Sequence, residues 1–342
     1  MTALGALDRL AYRSQHLGWL LQASALQEVA RIATRQPRPK LSKETIQTLV
    51  GRRKALHDRD LANVEAGLYP RSLLFDIPVR QFARAFPHLV RDVPNVLRRK
   101  ARNDFRDIPA VAKDRYPAYY RRTFHWQTDG YFSAHSAEVY ELGVELLFRG
   151  TADVMRRQVL PPITRLVREA GRADKLRVLD VGCGTGPTLR ALAHAHPALR
   201  LWGVDLSPDY VRAARKRLAD APEVTLAVEN AESLPFADGA FDAVTSVYLF
   251  HELPRNARRR VVAELFRVVR PGGVVVLEDS AQLSDSEALV TALRSFPQEF
   301  HEPFYDDYLG DDLSEILREV GFTIESVEPH LVAKVVVARK CE

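Results

Sequence analysis

The spacing of apolar residues changes near the middle of the chain. Before about residue 170, apolar residues recur at intervals of three and four positions, as at Val139, Leu142, Leu146 and Leu147. This interval places them on one face of an α-helix. We therefore predict that the chain is all-helical up to about residue 170.

Prolines and a capping residue divide this helical region. Residues 2–35 are predicted to be helical, and "QPRPK" (36–40) is predicted to be a linker because prolines stop a helix. Ser42 is predicted to cap the next helix. Pro87 and Pro94 are predicted to separate shorter helices that follow it.

Beyond Leu176, short β-branched runs alternate with helical patterns. Such alternation is typical of a parallel sheet covered by helices on both faces. The last two runs are separated only by a short gap near Pro329, so a hairpin with an antiparallel last strand is predicted. The seven predicted strands are "LRVLDV", "LRLWGVD", "VTLAVE", "FDAVTSVYL", "GGVVVLED", "FTIESVE" and "LVAKVVVAR".

These patterns predict an α/β protein of three parts. A helical N-terminal domain is expected over residues 1–122, a helical connector over 123–170, and an α/β core over 171–342. The total of 342 residues is enough for two domains of ordinary size.

Cysteine usage and the N-terminal pattern exclude several classes of protein. Cys183 and Cys341 are too few for a disulfide framework and fit a reducing cytoplasm, where we expect the protein to be. No cluster of Cys and His with metal-ligand spacing occurs in the sequence, so no metal is expected. Arg9, Arg13 and Glu28 interrupt the apolar N-terminal residues, which favours an amphipathic helix over a signal peptide or membrane span.

Charge is distributed unevenly along the chain. Residues 1–122 contain 24 Lys and Arg against 11 Asp and Glu, whereas the remainder contains 25 against 33. The basic N-terminal part is interpreted either as a solvated helical face or as a surface for nucleic acid, anionic lipid or an anionic substrate.

"VLDVGCGTG" (178–186) is a buried strand that ends in a glycine-rich turn and opens a helix. Gly182, Gly184 and Gly186 permit a tight turn and a close approach of the backbone to a ligand. The N-terminus of the following helix presents free N–H groups to an anionic group. A lone motif of this kind also occurs in dinucleotide-binding domains, so it is weak evidence by itself.

Three later features agree with this turn in order and spacing. Asp205 ends the second strand, "ENAESLPF" (229–236) follows the third, and "FDAVTSVYLFHELP" with "LFRVVRPGGVVVLED" forms the fourth and fifth. Together they resemble the class I S-adenosylmethionine-dependent methyltransferases, in particular the small-molecule group that includes the ubiquinone and menaquinone biosynthesis enzymes. The resemblance is close over residues 177–279 and loose over 322–339, and it implies a Rossmann-like seven-stranded methyltransferase sheet.

The resemblance also implies where the cofactor binds. In that family the glycine turn holds the methionine part of S-adenosylmethionine, the acid after the second strand holds the ribose, and the loop after the third strand holds the adenine. Asn230 stands where the family often has aspartate, and its amide is expected to be tolerated. The cofactor-binding residues expected here are Asp180, Gly182, Cys183, Gly184, Thr185, Gly186, Asp205, Leu206, Asn230, Ala231, Glu232, Tyr248 and Tyr131.

Candidate catalytic and acceptor-binding residues lie in three segments. The loop "YLFHEL" after the fourth strand contains His251, interpreted either as a general base or as a residue that only fixes the loop. "SFPQEFHEPFYDDYLGDD" (295–312) is interpreted as an aromatic pocket or as a surface loop. "FHWQTDGYFSAHSAEVYE" (124–141) is interpreted as a wall of the site or as a polar joint between domains. The substrate-binding candidates are His125, Asp129, His135, Phe250, Glu252, His301, Phe304, Tyr305 and Tyr308.

Three functions are compatible with these residues. The first is methyl transfer to a small-molecule acceptor, with the N-terminal domain as lid, acceptor pocket or dimer interface and with peripheral membrane contact as a variant. The second is methylation of RNA or DNA bound by the basic N-terminal part. The third is a protein of this fold that binds the cofactor and performs another reaction. The absence of a recognised RNA-binding module disfavours nucleic acid as a partner.

Overall fold

The structure is a computed structural model that describes residues 4–33, 41–111, 114–221 and 223–341. The predicted linker at 36–40 lies outside these residues. No helix in the described ranges is long and apolar enough to cross a membrane.

The described residues before Arg177 form helices, as predicted, except that the described part of 103–133 consists of turns, bends and one short 3-10 helix. The α-helices are α1 (Ala6–Ala33), α2 (Lys43–Glu65), α3 (Val79–Arg102), α4 (Ala134–Leu147), α5 (Ala152–Arg156) and α6 (Leu160–Ala170). Short 3-10 helices occur at Arg71–Phe75, Phe124–Trp126, Arg157–Val159 and Ala173–Lys175.

Ser42 caps α2 as predicted, since its Oγ accepts a hydrogen bond from the Thr45 amide at 3.0 Å. The prediction that Pro87 and Pro94 separate two helices is wrong, because both lie within the continuous helix α3. Both prolines are on the exposed side of the helix. The carbonyl groups that lose an amide partner there can therefore bond to water.

The second half of the chain forms one seven-stranded sheet in the order β3-β2-β1-β4-β5-β7-β6. The strands are β1 (Arg177–Val181), β2 (Arg200–Asp205), β3 (Val224–Val228), β4 (Phe241–Val247), β5 (Val269–Ser280), β6 (Phe322–His330) and β7 (Ala333–Lys340). The helices between them are α7 (Pro187–Ala195), α8 (Pro208–Arg217), α9 (Arg255–Val268), α10 (Val290–Glu299), α11 (Tyr305–Leu309) and α12 (Leu313–Glu319). Strand β7 is antiparallel to both of its neighbours, so the predicted fold class is confirmed.

The N-terminal helices share a hydrophobic core with the sheet. Tyr12 of α1 and Leu61 of α2 belong to the same buried cluster as Ile163 of α6, Val178 of β1 and Val276 of β5. The helical region therefore packs directly against the sheet. The division of the chain at residues 122 and 170 stays a prediction.

A buried ion pair stabilises this packing. Asp60 of α2 is fully buried and accepts hydrogen bonds from Arg157 Nε at 3.0 Å and Nη2 at 2.6 Å. The hydroxyl groups of Tyr12 and Tyr69 donate to the same carboxylate at 2.7 and 2.6 Å. All its polar partners come from the helical region, so this carboxylate ties α1 and α2 to the segment that leads into α6.

We expect Asp60→Ala to lower the free energy of unfolding by about 3–5 kcal/mol, because Arg157 would keep a buried charge without its partner. Asp58→Ala is the matched control, since Asp58 lies on the same helix and forms a more exposed pair with Lys54. It is expected to cost at most about 1 kcal/mol. Urea unfolding of both variants measures the difference, and equal losses would contradict the assigned role of Asp60.

Candidate active site

The turn between β1 and α7 has the backbone conformation that its glycines allow. Gly182, Gly184 and Gly186 have φ angles of 72°, 55° and 82°. A Cβ added at Gly184 would meet no atom within 4 Å, since this residue borders a large cavity. The turn therefore presents bare backbone to that cavity.

Two carboxylates, the buried Asp180 and the half-buried Asp205, flank the turn. Asp205, at the end of β2, accepts hydrogen bonds from the amides of Gly184 at 2.9 Å and Ser207 at 2.8 Å. Burial nevertheless raises the pKa of Asp205 to about 6. Asp180 lies behind the turn, where it accepts a hydrogen bond from Thr245 Oγ1 at 2.7 Å, and burial raises its pKa to about 7.

The cavity has a volume of about 1020 Å³ and lies beyond the carboxyl ends of the parallel strands. This is the edge at which open α/β sheets bind ligands. Its polar end is lined by the glycine turn, Asp205, Leu206, Asn230 and Ala231. From there it extends between α3, α4 and the end of α1.

The segment at 124–141 forms one wall of the cavity. The hydroxyl group of Tyr131 donates a hydrogen bond to Glu252 Oε1 at 2.5 Å, and its carbonyl oxygen accepts one from Ser207 Oγ at 2.5 Å. Its ring packs in an aromatic cluster with Tyr120, Phe124, Tyr140 and Tyr210. These contacts join the segment to the loops that follow β2 and β4.

His125 bridges two carboxylates at this wall. Its Nε2 lies 3.2 Å from Glu252 Oε1, and its Nδ1 lies 2.7 Å from Glu302 Oε1 in an ion pair without hydrogen-bond geometry. Burial disfavours the charged ring, yet the two carboxylates outweigh it and raise the pKa of His125 to about 10. The three residues offer ligand atoms within 4.8 Å of one another. However, the ring uses opposite nitrogens, as expected of an imidazolium between two acids rather than of ligands around one cation.

His251 faces the cavity and is held by an acid at the end of β5. Its Nδ1 lies 2.6 Å from Asp279 Oδ1, and Asp279 Oδ2 accepts a hydrogen bond from the Phe250 amide at 2.7 Å. Burial would lower the pKa of His251, but the charge and hydrogen bond of Asp279 outweigh burial and raise it to about 9. Since Nδ1 is engaged, Nε2 is the ring nitrogen that can exchange a proton with a bound molecule.

Comparison with known proteins identifies the family. Residues 178–273 match a family described as a methyltransferase domain. The chain is 31% identical over 182 residues to a malonyl-[acyl-carrier protein] O-methyltransferase of Geobacter sulfurreducens. This alignment covers 51% of this chain and 67% of the relative. The chain belongs to the class I S-adenosylmethionine-dependent methyltransferases.

Two further relatives show how far the likeness to other methyltransferases extends. An O-methyltransferase of Aspergillus sclerotiorum is 31% identical over 47% of this chain and 61% of its own length. A demethylmenaquinone methyltransferase of Thermotoga maritima is 36% identical over 42% of this chain and 57% of its own length. The chain thus spans 57 to 67% of the length of these three relatives. Several solved methyltransferase structures align over 51 to 61% of this chain, with TM-scores from 0.40 to 0.45.

The residues at the polar end of the cavity fit the methyltransferase cofactor. Gly184 leaves open space where a side chain would project, and Asp205 offers a half-buried carboxylate at the end of β2. Asn230 and Ala231 follow β3 on the same side of the cavity. Glycine backbone, acid and amide therefore meet in one place, as the resemblance implies.

The other expected cofactor residues have different surroundings. Tyr248 and Cys183 line the methyltransferase cavity, and Tyr248 adopts a left-handed backbone with φ of 56°. Thr185 lies below the turn and donates a hydrogen bond to Glu141 Oε1 at 2.6 Å. The structure does not bring Glu232 to the cavity lining, since its carboxylate bonds to Tyr119 and Arg260.

Only some of the expected substrate residues reach the cavity. His125 and Glu252 line it, whereas Phe250 is a core residue beneath the loop. Tyr305 and Tyr308 pack edge-on against His251 at 6.0 and 6.2 Å, so they support the imidazole from behind.

Four further candidates lie outside the cavity lining. His301 stacks on Phe105 and packs at a tilt against Trp126, and Phe304 packs against Tyr119. His135 is half-buried near His88, and Asp129 occupies a left-handed turn position. Whether any of these residues contacts a substrate stays a prediction.

Sequence reasoning missed four charged residues. Asp279 and Glu302 hold the two histidines, while Glu141 and Arg156 form a buried ion pair at 2.9 Å beside the glycine turn. The sequence could have identified Asp279, because it is an acid at the carboxyl end of a predicted strand. Glu141 and Arg156 had no such signal, since they stand among apolar positions of ordinary helices.

We expect Asp205→Asn to weaken binding of S-adenosylhomocysteine by about tenfold or more, because a charged hydrogen-bond acceptor is lost. In the unmodified protein, affinity should fall as the pH decreases through about 6, where the raised pKa of Asp205 protonates the carboxylate. Isothermal titration across this pH range measures both effects.

The exposed Asp220 gives the matched control, since Asp220→Asn removes an acid from the surface beyond α8. A pH dependence that persists in Asp205→Asn would show that another group controls binding.

Proposed function

We propose that the protein transfers the methyl group of S-adenosylmethionine to a small-molecule acceptor held in the same cavity. One observation carries this proposal: a single cavity joins the glycine turn and Asp205 to His251 and to an apolar chamber between helices. Its volume of about 1020 Å³ is at the upper end of the ~300–1,000 Å³ range of small-molecule sites, which suits two ligands.

The chamber favours an apolar or aromatic acceptor. Away from the glycine turn it is lined by aliphatic and aromatic side chains of α3, α4, α10 and the residue after α10, among them Leu89, Val96, Leu97, Leu147, Phe296 and Phe300. The name of one relative supports this class, since that protein is a demethylmenaquinone methyltransferase. We infer an acceptor with a lipophilic body and one nucleophilic oxygen, nitrogen or carbon.

When bound, S-adenosylmethionine supplies an electrophilic methyl group and leaves as S-adenosylhomocysteine. The protein has to orient the acceptor and exclude water. The glycine turn, Asp205 and the loop after β3 hold the polar end of the site. The wall formed by Tyr131 and its aromatic neighbours closes the side next to β2.

His251 is proposed as the general base for an acceptor that carries a proton. The neutral imidazole takes this proton at Nε2, while Asp279 stabilises the imidazolium that forms. Tyr131 and His125 both bond to Glu252 and so fix the opposite wall. The alternative, in which His251 only fixes the loop, predicts no effect of its protonation on turnover.

The cytoplasm is proposed as the location, and homodimer formation stays a prediction. A small-molecule acceptor is the proposed partner, and contact with a membrane surface is considered below.

The proposed function predicts micromolar binding of S-adenosylhomocysteine and radiolabel transfer from S-adenosylmethionine to a soluble, short-chain demethylmenaquinone analogue. Gly184→Val should lose both, because its side chain would project into the cofactor end of the cavity. Gly171→Val also replaces a left-handed glycine, but on the surface beyond α6, so it controls for backbone strain. Absence of cofactor binding in the unmodified protein would refute the proposal.

If His251 is the base, turnover with the same analogue should rise with pH until about 9, since the raised pKa leaves the ring protonated at neutral pH. Asp279→Asn should move this rise to lower pH, because burial would then lower the pKa of His251. NMR titration of the histidine, together with pH–rate profiles of both proteins, checks the sign. If the pH–rate profile stays flat across the pH range in which His251 titrates, His251 has a structural role only.

A further inference from the structure

Helix α1 is apolar on the side that faces away from the protein. Its buried residues Tyr12, His16 and Ala23 lie on one side, against α2 and α4. The exposed apolar residues fall within an arc of about 120° on the opposite side. They are Leu7, Leu10, Leu17, Leu21, Val29 and Ile32, each more than half exposed.

Helix α3 presents a second apolar stripe on one flank of its exposed side and a row of arginines on the other flank. Val79, Phe86, Val90 and Val93 are exposed and recur at intervals of seven, four and three residues. The arginine row consists of Arg80, Arg84, Arg91 and Arg98, all exposed. Within the described part of the chain, the first three have no acidic partner within 4.0 Å, and Arg98 lies 3.9 Å from Asp107.

The two helices form one outer layer. Both pack against α4, and Trp19 of α1 meets Phe82 of α3 edge-on at a centroid distance of 5.8 Å. The cavity reaches the surface within this layer, because its lining includes the exposed residues Ala30 of α1 and Val93 of α3. We call this surface, formed by α1 and α3, the outer helical face.

Charge complementarity selects the occupant of this face. A second copy joined through α3 would bring two arginine rows together, and like charges repel. RNA would neutralise the arginines but leave the stripe of α1 in water. A bilayer with anionic headgroups accepts both features, because arginines meet phosphates while the apolar side chains enter the boundary with the acyl chains.

We propose that the outer helical face docks on an anionic lipid bilayer and that a lipophilic acceptor enters the cavity from this bilayer. The second part rests on the proposed function, whereas docking does not. Arginines beside an apolar stripe bind the surface, and the cavity opening between α1 and α3 then faces the apolar phase.

Co-sedimentation of the full chain with lipid vesicles tests the docking. Binding is expected to vesicles of phosphatidylglycerol and phosphatidylcholine, to be weak with phosphatidylcholine alone, and to decrease with salt. Leu17→Ala/Leu21→Ala and Arg84→Glu/Arg91→Glu should each weaken binding about tenfold or more. Matched changes on the sheet side, Val327→Ala and Arg172→Glu/Lys216→Glu, should leave it unchanged.

Three results would overturn the proposal. The first is no binding to anionic vesicles. The second is a dimer in light scattering that Leu17→Ala/Leu21→Ala dissociates, which would assign the face to a second copy. The third is salt-sensitive binding to RNA in place of vesicles. Titration with S-adenosylhomocysteine distinguishes failure of this proposal from failure of the proposed function. If the unmodified protein docks on vesicles but does not bind S-adenosylhomocysteine, only the proposed function is refuted.

Discussion

Asp60 and Arg157 form a buried ion pair that joins the N-terminal helices to the segment before α6. A charge removed from water is tolerated only when a partner and hydrogen bonds replace its hydration. Two tyrosine hydroxyls complete the bonds of Asp60, so the pair specifies how α1 and α2 meet the segment before α6. Helix α1 also contacts α4, and the chamber lies between α1, α3 and α4.

The same constraint shapes the active site. Glu141 pairs with Arg156, His125 with Glu252 and Glu302, and His251 with Asp279. Glu141 also bonds to Thr185 of the glycine turn, His125 joins the segment at 124–141 to the loops after β4 and α10, and His251 joins the loop after β4 to the end of β5. The polar end of the cavity is thus rigid and charged, whereas the chamber is apolar. This contrast suits a polar cofactor beside a lipophilic acceptor.

Local signals in the sequence predicted much of the fold. The β-branched runs predicted the bounds of the seven strands to within a few residues. This was possible because the two-residue alternation of side chains along a strand depends only on neighbouring residues. The glycine turn and Asp205 were found because backbone conformation at a tight turn demands particular residue types. The prediction that Pro87 and Pro94 separate two helices was also wrong for a local reason. Their effect on a helix depends on whether the unpaired carbonyl groups are solvated, which the sequence does not state.

The sequence by itself determined the order of the elements, the cofactor turn and the family, since these depend on contacts between near neighbours and on motif order. Only the tertiary structure decided which polar side chains meet. His125 meets Glu252, although the two are 127 positions apart in the sequence. It also meets Glu302, which lies in a third segment of the chain. Tyr305 and Tyr308 were expected in a pocket, but packing places them behind His251. The composition of a loop does not reveal which side of it is buried, because burial is decided by distant elements that fold against it.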